Sequence, residues 1–407
     1  MRLISLLSMF GTLAVAQQLP LTSIAVEGSR FPQALILKWA GLMTGQLADE
    51  PAIADACRKL QETGLFKAAE YRYSFPAEKT GYALVLNLRD EPETLAAEAD
   101  IPGVADAILW EWLGPLAAAG HRVPGNEAAL SIYARAMEQA LAAHGIKQEL
   151  TTRMGGKLGS AASLKVYFQP KNLPRIASIH FEGARRISNA ALEQAIARLA
   201  LESPFTRNQF QLLIDQNIRR IYEEHGMLKT SFTIRTQPLA DGRVDVTTVI
   251  DEGVVYTLAR VDVRGGGDAT GFPTGRTANW NEVLASIAAM EMPLRREGYL
   301  SVRSRPERIL NDAAGTLDLS ITVEKGPQFH FGAVSFAGLD AKLEQVARQV
   351  WTLAPGQPMD AGYADEFIKA LFAHPEFPRG KAASVQMKRA AGANVMDVTI
   401  TFRNVTQ

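Results

Sequence analysis

The chain has 407 residues, 47% of them apolar and 21% charged, with 43 basic and 43 acidic side chains and no formal net charge. This is ordinary globular material with ample apolar content for buried cores. The charge balance excludes binding driven by counterion release, so no nucleic-acid partner is expected, and a single cysteine, Cys57, excludes an internal disulfide.

The first element in chain order is a leader. Met1-Arg2 is followed by an apolar stretch over residues 3–15, too short to span a bilayer, and Ala14-Val15-Ala16 has the small-x-small cleavage pattern. Residues 1–16 are therefore read as a signal peptide, and the mature chain is expected to be exported and to start near Gln17. No later apolar run is long enough for a membrane helix.

Two marks then recur. One is a strand that ends in glycine, as in Ile24-Ala25-Val26-Glu27-Gly28, Ile179-His180-Phe181-Glu182-Gly183, Val261-Asp262-Val263-Arg264-Gly265 and Val334-Ser335-Phe336-Ala337-Gly338, with a degenerate copy at Ala99-Asp100-Ile101-Pro102-Gly103. The other is a helix stop made of glycine plus an apolar residue: Gly64-Leu65, Gly145-Ile146, Gly226-Met227 and Gly298-Tyr299. Glycine there takes the left-handed conformation, and the next side chain packs back on the last turn. In the last copy Pro375 takes the stopping role. A strand, a turn and an alternating strand follow each stop. Examples are Leu84, Leu86 and Leu88, then Leu164, Val166 and Phe168, and later Val398, Ile400 and Phe402. Period-two apolarity means one buried and one wet face.

Between the marks lie helical stretches. Thr206-Arg207-Asn208-Gln209 is a capping box, Phe205 and Phe210 form a hydrophobic staple, and Phe210, Ile214, Ile218 and Tyr222 share one face. Ile53, Cys57 and Leu60 share another, which makes Cys57 a core residue. The chain thus reads as α+β, with five tandem β-α-α-β-β modules over 21–92, 93–171, 174–253, 254–328 and 329–405, joined by short junctions into an elongated, bent rod. The second copy is degenerate, and the fourth lacks a clear first helix, with a loop around Gly265-Gly266-Gly267 in its place.

No catalytic constellation is present. The histidines have no metal-ligand spacing, Gly265-Gly266-Gly267 is not followed by the Lys-Ser/Thr of a phosphate loop, and no G-x-S-x-G occurs. No enzyme activity, metal, cofactor or small-molecule substrate is expected. His144 and His225 precede helix-stop glycines and read as helix caps. Trp110 and Trp112 lie in an apolar helix, where they are either core or a docking patch.

The module resembles the POTRA domain. The best matches are Tyr222-Glu223-Glu224-His225-Gly226-Met227, Val244-Asp245-Val246 leading to Ile250-Asp251-Glu252-Gly253, and Phe331-Gly332-Ala333-Val334-Ser335-Phe336-Ala337-Gly338. The array is similar to the periplasmic part of outer-membrane protein assembly factors of the BamA and TamA type. Those factors continue into a membrane barrel; with the last strand of copy five so near the final residue, no barrel is expected here. The resemblance implies a periplasmic polypeptide-binding scaffold in outer-membrane protein assembly or secretion. Its implied partners are unfolded or extended outer-membrane protein clients, a separately encoded barrel, or assembly-machine subunits that hold it near the outer membrane. The alternatives are a structural envelope tether or a truncated relic of a barrel-containing factor.

In that family an extended client can add to the strand before the final one. The candidate edges are Ser231, Phe232, Thr233, Ile234, Arg235 and Thr236 in copy three, and Ala383, Ser384, Val385, Gln386, Met387 and Lys388 in copy five. Both lack proline. Proline at Thr233 or Gln386 is expected to remove an edge donor and weaken binding of extended peptides while leaving most of the fold intact.

Overall fold

The computed structural model describes residues 19–75, 81–156, 164–390 and 394–404. The leader reading of residues 1–16 lies outside them. Among the described residues the fold is mixed α+β, with five sheets in chain order.

Copy one runs β1 (Leu19–Glu27), α1 (Gln33–Ala40), β2 (Leu47–Ala48), α2 (Glu50–Glu62), β3 (Phe66–Ser74) and β4 (Tyr82–Asp90), with sheet order β2-β1-β4-β3. Copy two runs β5 (Thr94–Ala99), α3 (Asp106–Trp112), a 3₁₀ turn, β6 (Arg122–Pro124), α4 (Glu127–Ala143), β7 (Leu150–Gly155) and β8 (Lys165–Pro170), in the order β6-β5-β8-β7. Copy three contains β9 (Ile176–Glu182), α5 (Asn189–Ala200), α6 (Arg207–Leu213), a π turn over Ile214–Ile218, α7 (Arg219–Glu224), β10 (Ser231–Pro238) and β11 (Val244–Asp251), ordered β10-β11-β9. Copy four has β12 (Thr257–Arg264), a single helix α8 (Trp280–Arg296), β13 (Arg303–Asn311) and β14 (Thr316–Glu324), ordered β12-β14-β13. Copy five has β15 (His330–Ala337), α9 (Ala341–Val350), α10 (Tyr363–Ala373), β16 (Lys381–Arg389) and β17 (Val395–Asn404), ordered β15-β17-β16.

In every copy the last strand lies in the middle of its sheet. It is parallel to the first strand and antiparallel to its hairpin partner in copies one, two, four and five. That central position explains the clean alternation: Leu84, Leu86, Val246, Leu317, Ile321 and Ile400 are all fully buried. Burying such a side chain stabilises by about 1.5–3 kcal/mol. Leu164 departs from the expected pattern, because it precedes β8 and is exposed.

The β-α-α-β-β formula needs one amendment. Copies one and two carry a short strand between their helices, β2 and β6. In the others the same place holds one isolated bridge: Arg175 with Pro204, Thr257 with Thr277, and His330 with Pro358. Two or three residues show no periodicity, so the sequence pattern could not reveal the strand.

The strand-end glycines share one geometry. Gly28, Gly183, Gly265 and Gly338 have φ of +82°, +85°, +91° and +79°. A Cβ at each would lie 2.1–2.2 Å from a main-chain carbonyl oxygen of the central strand, on Leu88, Ile250, Val323 and Phe402. Left-handed backbone and close approach both require glycine. Three of the four glycine helix stops are equally regular, whereas at the first the Leu65 N–H donates to Thr63 Oγ1. The N–H after the glycine donates five residues back, from Ile146 to Leu141, Met227 to Tyr222 and Tyr299 to Leu294, at 2.9–3.0 Å. This is the Schellman closure. His144 and His225 place Nδ1 2.9 and 2.8 Å from the Ala140 and Ile221 carbonyls, as cap positions should.

The described chain divides into two compact units, and the division runs through copy three. The first takes in residues up to His180, with Ala197–Leu212 and Ile234–Thr248; the second takes in Phe181–Ile196, Leu213–Thr233 and the chain from Val249 onward. Within the first unit, Asn126 joins copies one and two: its Nδ2 donates to Gly64 O at 2.8 Å while its Oδ1 caps α4. Within the second unit, two joints repeat. The N–H groups of Tyr256 and Phe329 donate to Gly226 and Gly298 O, and their own carbonyls accept from Ala278 and Met359. Side chains add to the first of these. Lys229 and the Tyr256 hydroxyl both bond Asp312. The Arg308 guanidinium lies 3.5 Å over the Trp280 ring and pairs with Glu223 at 3.0 Å.

Among the described residues no helix is long and apolar enough to cross a membrane, which says nothing of a β-barrel.

Candidate peptide-binding edges

A sheet edge binds an extended chain only through main-chain groups that point away from the sheet. In an antiparallel pair, successive residues alternate between facing the partner strand and facing outward. One hydrogen bond beside each hairpin therefore sets the parity of its whole edge.

In copy five, Ala390 N–H donates to Val395 O at 2.9 Å. The register pairs Lys388 with Asp397, Gln386 with Thr399, Ser384 with Thr401 and Ala382 with Arg403. Counting back in twos, these even-numbered residues bond the central strand. Ala383, Val385 and Met387 turn their N–H and C=O outward, while their side chains pack on the module core. Ser384, Gln386 and Lys388 point their side chains to solvent. Each outward residue thus offers one donor and one acceptor, on a strand anchored by apolar contacts.

This parity corrects the proline expectation. Gln386 bonds β17, so proline there would break the ladder. Ala383 is the position whose N–H faces the open edge.

Copy three has the same topology but a different edge. Leu239 N–H donates to Arg243 O, which makes Thr233, Arg235 and Gln237 ladder residues and turns Ile234 and Thr236 outward. Thr233 is therefore also the wrong place for an edge proline. The outward acceptor is in use: Arg207 Nη1 donates to Ile234 O at 2.7 Å. Nearer the start of the strand, Arg219 Nη1 donates to Thr230 O at 2.8 Å, and its guanidinium lies 4.9 Å over Phe232. Arginines of the module's own second helix thus cover part of this edge, a common way to blunt one. In copy four the edge strand β13 carries Pro306, which has no donor to give.

Copy two offers an edge that the sequence pattern did not single out. Lys171 N–H donates to Glu149 O, so Thr152 and Met154 face outward, as does Leu150, whose N–H is bonded by Glu138 Oε1 at 2.7 Å. Beside it runs a groove of about 450 Å³ lined by Leu130 and Ala134 of α4 and by Leu150, Thr152 and Met154. Alternation at Leu150, Thr152 and Met154 was the available signal.

Of the two readings of the tryptophans, core or docking patch, burial corrects the docking one for Trp110 alone. Trp110 is 2% exposed; its Nε1 donates to Asp106 Oδ1 at 3.0 Å, and its ring stacks on His121. It is a core residue and presents no docking surface. Trp112 is half-buried, with the His144 ring stacked on it at 3.6 Å. Cys57 lies in the core of copy one, where burial pushes its thiol up to about 11, so it is not a ready nucleophile. Among the described residues no cluster of three or more His, Cys, Asp or Glu could hold a metal ion.

The repeated sheet order defines the class: the described residues form a tandem array of α+β modules, each with its last strand at the centre of its sheet, and the third module is similar to a POTRA domain. Residues 174–253 match the family model described as "POTRA: Surface antigen variable number repeat". The array is similar to outer-membrane protein assembly factors. One relative is the outer membrane protein assembly factor BamA of Neisseria meningitidis serogroup B, 23% identical over 206 residues, which are 45% of this chain and 26% of that protein. The chain thus spans about a quarter of that relative's length. Two solved structures show a likeness. POTRA3-5 of Haemophilus influenzae BamA is 19% identical with a TM-score of 0.41, covering 57% of this chain and 97% of that one. POTRA1-3 of Omp85 from Anabaena is 14% identical with a TM-score of 0.26, covering 57% and 97%.

Proposed function

We propose that this chain is a periplasmic, non-enzymatic scaffold that binds extended polypeptides during outer-membrane protein assembly or secretion. The modules span 21–92, 93–171, 174–253, 254–328 and 329–405, behind a leader at 1–16. The observation that carries the reading is the copy-five edge, where Ala383, Val385 and Met387 hold their main-chain groups outward on a core-anchored strand. A client strand laid there gains main-chain bonds with no demand on its sequence. Each such bond contributes only about 0.5–1.5 kcal/mol net, and ordering the client costs about 1–2 kcal/mol per residue. Binding is therefore weak and promiscuous, as suits a carrier that must release its cargo. The copy-three edge, Ser231 to Thr236, is a second client site that must first be uncovered. Unfolded outer-membrane proteins are the clients. A separately encoded barrel or assembly subunits hold the array at the outer membrane.

The test is titration of the labelled mature chain with a short alternating Thr-Val peptide, followed by NMR. Shifts should follow β16, and Ala383→Pro should abolish them while leaving the copy-five core signals in place. Gln386→Pro should instead disturb those core signals. Shifts confined to helix faces would refute the edge reading and favour a structural tether, which the side-chain lock between copies three and four would also suit.

A further inference from the structure

The copy-three edge is covered by a chain of contacts that begins in the preceding module. Asp100, just past the end of β5 in copy two, is 7% exposed. Its Oδ2 accepts the main-chain N–H of Arg207 at 2.6 Å, and its Oδ1 lies 3.9 Å from Nε of the same arginine. Arg207 opens α6 and sends Nη1 to Ile234 O, the outward acceptor in the middle of β10. Two residues along the strand, Thr236 is engaged as well: Gly103 N–H of copy two donates to its Oγ1 at 3.0 Å. Gly103 sits so close to Pro238 that a Cβ would come within 2.8 Å of its ring. Copy two thus touches β10 directly through Gly103. It also fixes, through Asp100, the arginine that fills the strand's outward acceptor.

We propose that β10 is a latched edge: the joint between copies two and three keeps it closed to a client strand, and it opens only when Asp100 and Gly103 withdraw. Closure is competitive. A client strand needs the Ile234 carbonyl that Arg207 holds, and it needs the space at Thr236 that Gly103 occupies. Among the described edges, the one in copy five is then open at rest, and the one in copy three opens to report the state of a joint. This inference rests on the edge-binding reading above. If the latch is closed more than about nine-tenths of the time, releasing it should raise apparent affinity at β10 roughly tenfold, since affinity scales with the competent fraction.

The experiment uses the full mature chain and three variants, Arg207→Gln, Asp100→Ala and Thr236→Val. The probe is the short Thr-Val peptide carrying a nitroxide. In the wild type, paramagnetic broadening should fall on β16 and spare β10. In each variant it should reach Ile234 and Thr236, with apparent affinity there up by roughly tenfold. Independently of any peptide, the Ile234 carbonyl carbon should shift in Arg207→Gln as its hydrogen bond is lost, and Asp100→Ala should move it the same way from the neighbouring module. Thr236→Val keeps the test alive if Asp100→Ala disturbs copy two. Equal broadening of β10 and β16 in the wild type would overturn the latch. So would an Ile234 carbonyl that stays put in Asp100→Ala, with β10 silent in all three variants. If the carbonyl moves in both variants but the peptide broadens neither strand, the latch stands and the peptide-binding reading falls.

Discussion

Alanine at Gly338 separates two demands that glycine meets in this fold. Gly338 has φ +79°, and a Cβ there would lie 2.1 Å from the Phe402 carbonyl oxygen. Gly356, in the same module, has φ +84° and nothing within 4 Å. Both alanines incur left-handed strain of about 1–2 kcal/mol. Only Gly338→Ala also forces β15 and β17 apart, because a carbon normally stands about 3.3–3.6 Å from a carbonyl oxygen. Moving the strand end by more than an ångström loosens the Ala337–Thr401 pairing and uncovers Phe402, now 3% exposed. Lost main-chain bonds at about 0.5–1.5 kcal/mol each, and partial loss of a burial worth about 1.5–3 kcal/mol, bring the expected total to about 3–6 kcal/mol. A module of this size has only about 4–11 kcal/mol to lose. The assay is urea unfolding read by fluorine NMR of 5-fluorotryptophan, since Trp351 packs on Phe331, Tyr363 and Phe367 in the copy-five core. Gly356→Ala should shift the Trp351 transition slightly and Gly338→Ala should shift it far more. Equal shifts would refute the close-approach argument and leave backbone strain as the whole reason for glycine.

Arg308→Gln should weaken the joint between copies three and four by about 1–2 kcal/mol, through loss of the stack on Trp280 and a partly shielded pair with Glu223; the Trp280 fluorine signal in urea checks it, and an unchanged midpoint would show the contact to be idle. The joint between copies three and four and the joint between copies two and three should respond to acid with opposite signs. Asp312 is held below its ordinary value of 3.8 by hydrogen bonds from Lys229 and then Tyr256, so its contribution is present above 3.8 and lost as pH falls through its lowered pKa. Asp100 is pushed above 3.8 by burial, against the pull of Arg207 and with added repulsion from Glu98, so its joint loses stability as pH rises from 3.8 through the raised pKa. Carboxyl carbon titration of the full chain would show both, and two parallel titrations would contradict the burial argument. Chelator should leave the melting temperature unchanged; a drop of several degrees would reveal a bound ion.

Much of this architecture was legible in the residues because it depends on local chemistry. Glycine at a strand end or helix stop answers to φ and to one close contact, so Gly28, Gly226 and Gly338 could be read singly. The capping box at Thr206 appears as a Gln209 N–H bond to Thr206 Oγ1 at 3.3 Å, and the Phe205–Phe210 staple as ring centroids 6.0 Å apart. The edges were legible only in part. Side-chain alternation tells which face is wet, but main-chain direction at an edge depends on hairpin register, which Ala390–Val395 and Leu239–Arg243 determine. The cover over β10 comes from Arg207, whose charge has no periodic signature, and the partner that positions it lies 107 residues away.

The joints in the second unit carry a consequence for how such arrays change over generations. Their first contact is made by main-chain atoms alone: a helix-stop glycine carbonyl receives the entering N–H of the next copy, at Gly226 from Tyr256 and at Gly298 from Phe329. Such a socket asks nothing of the neighbour's side chains except an aromatic residue at the point of entry. A copy duplicated or deleted by unequal recombination would meet a ready-made connection on either side, with no matching mutation required. Side-chain locks such as Asp312 with Lys229 can then accumulate afterwards, joint by joint, which would let the number of modules drift more freely than the surface of any one of them.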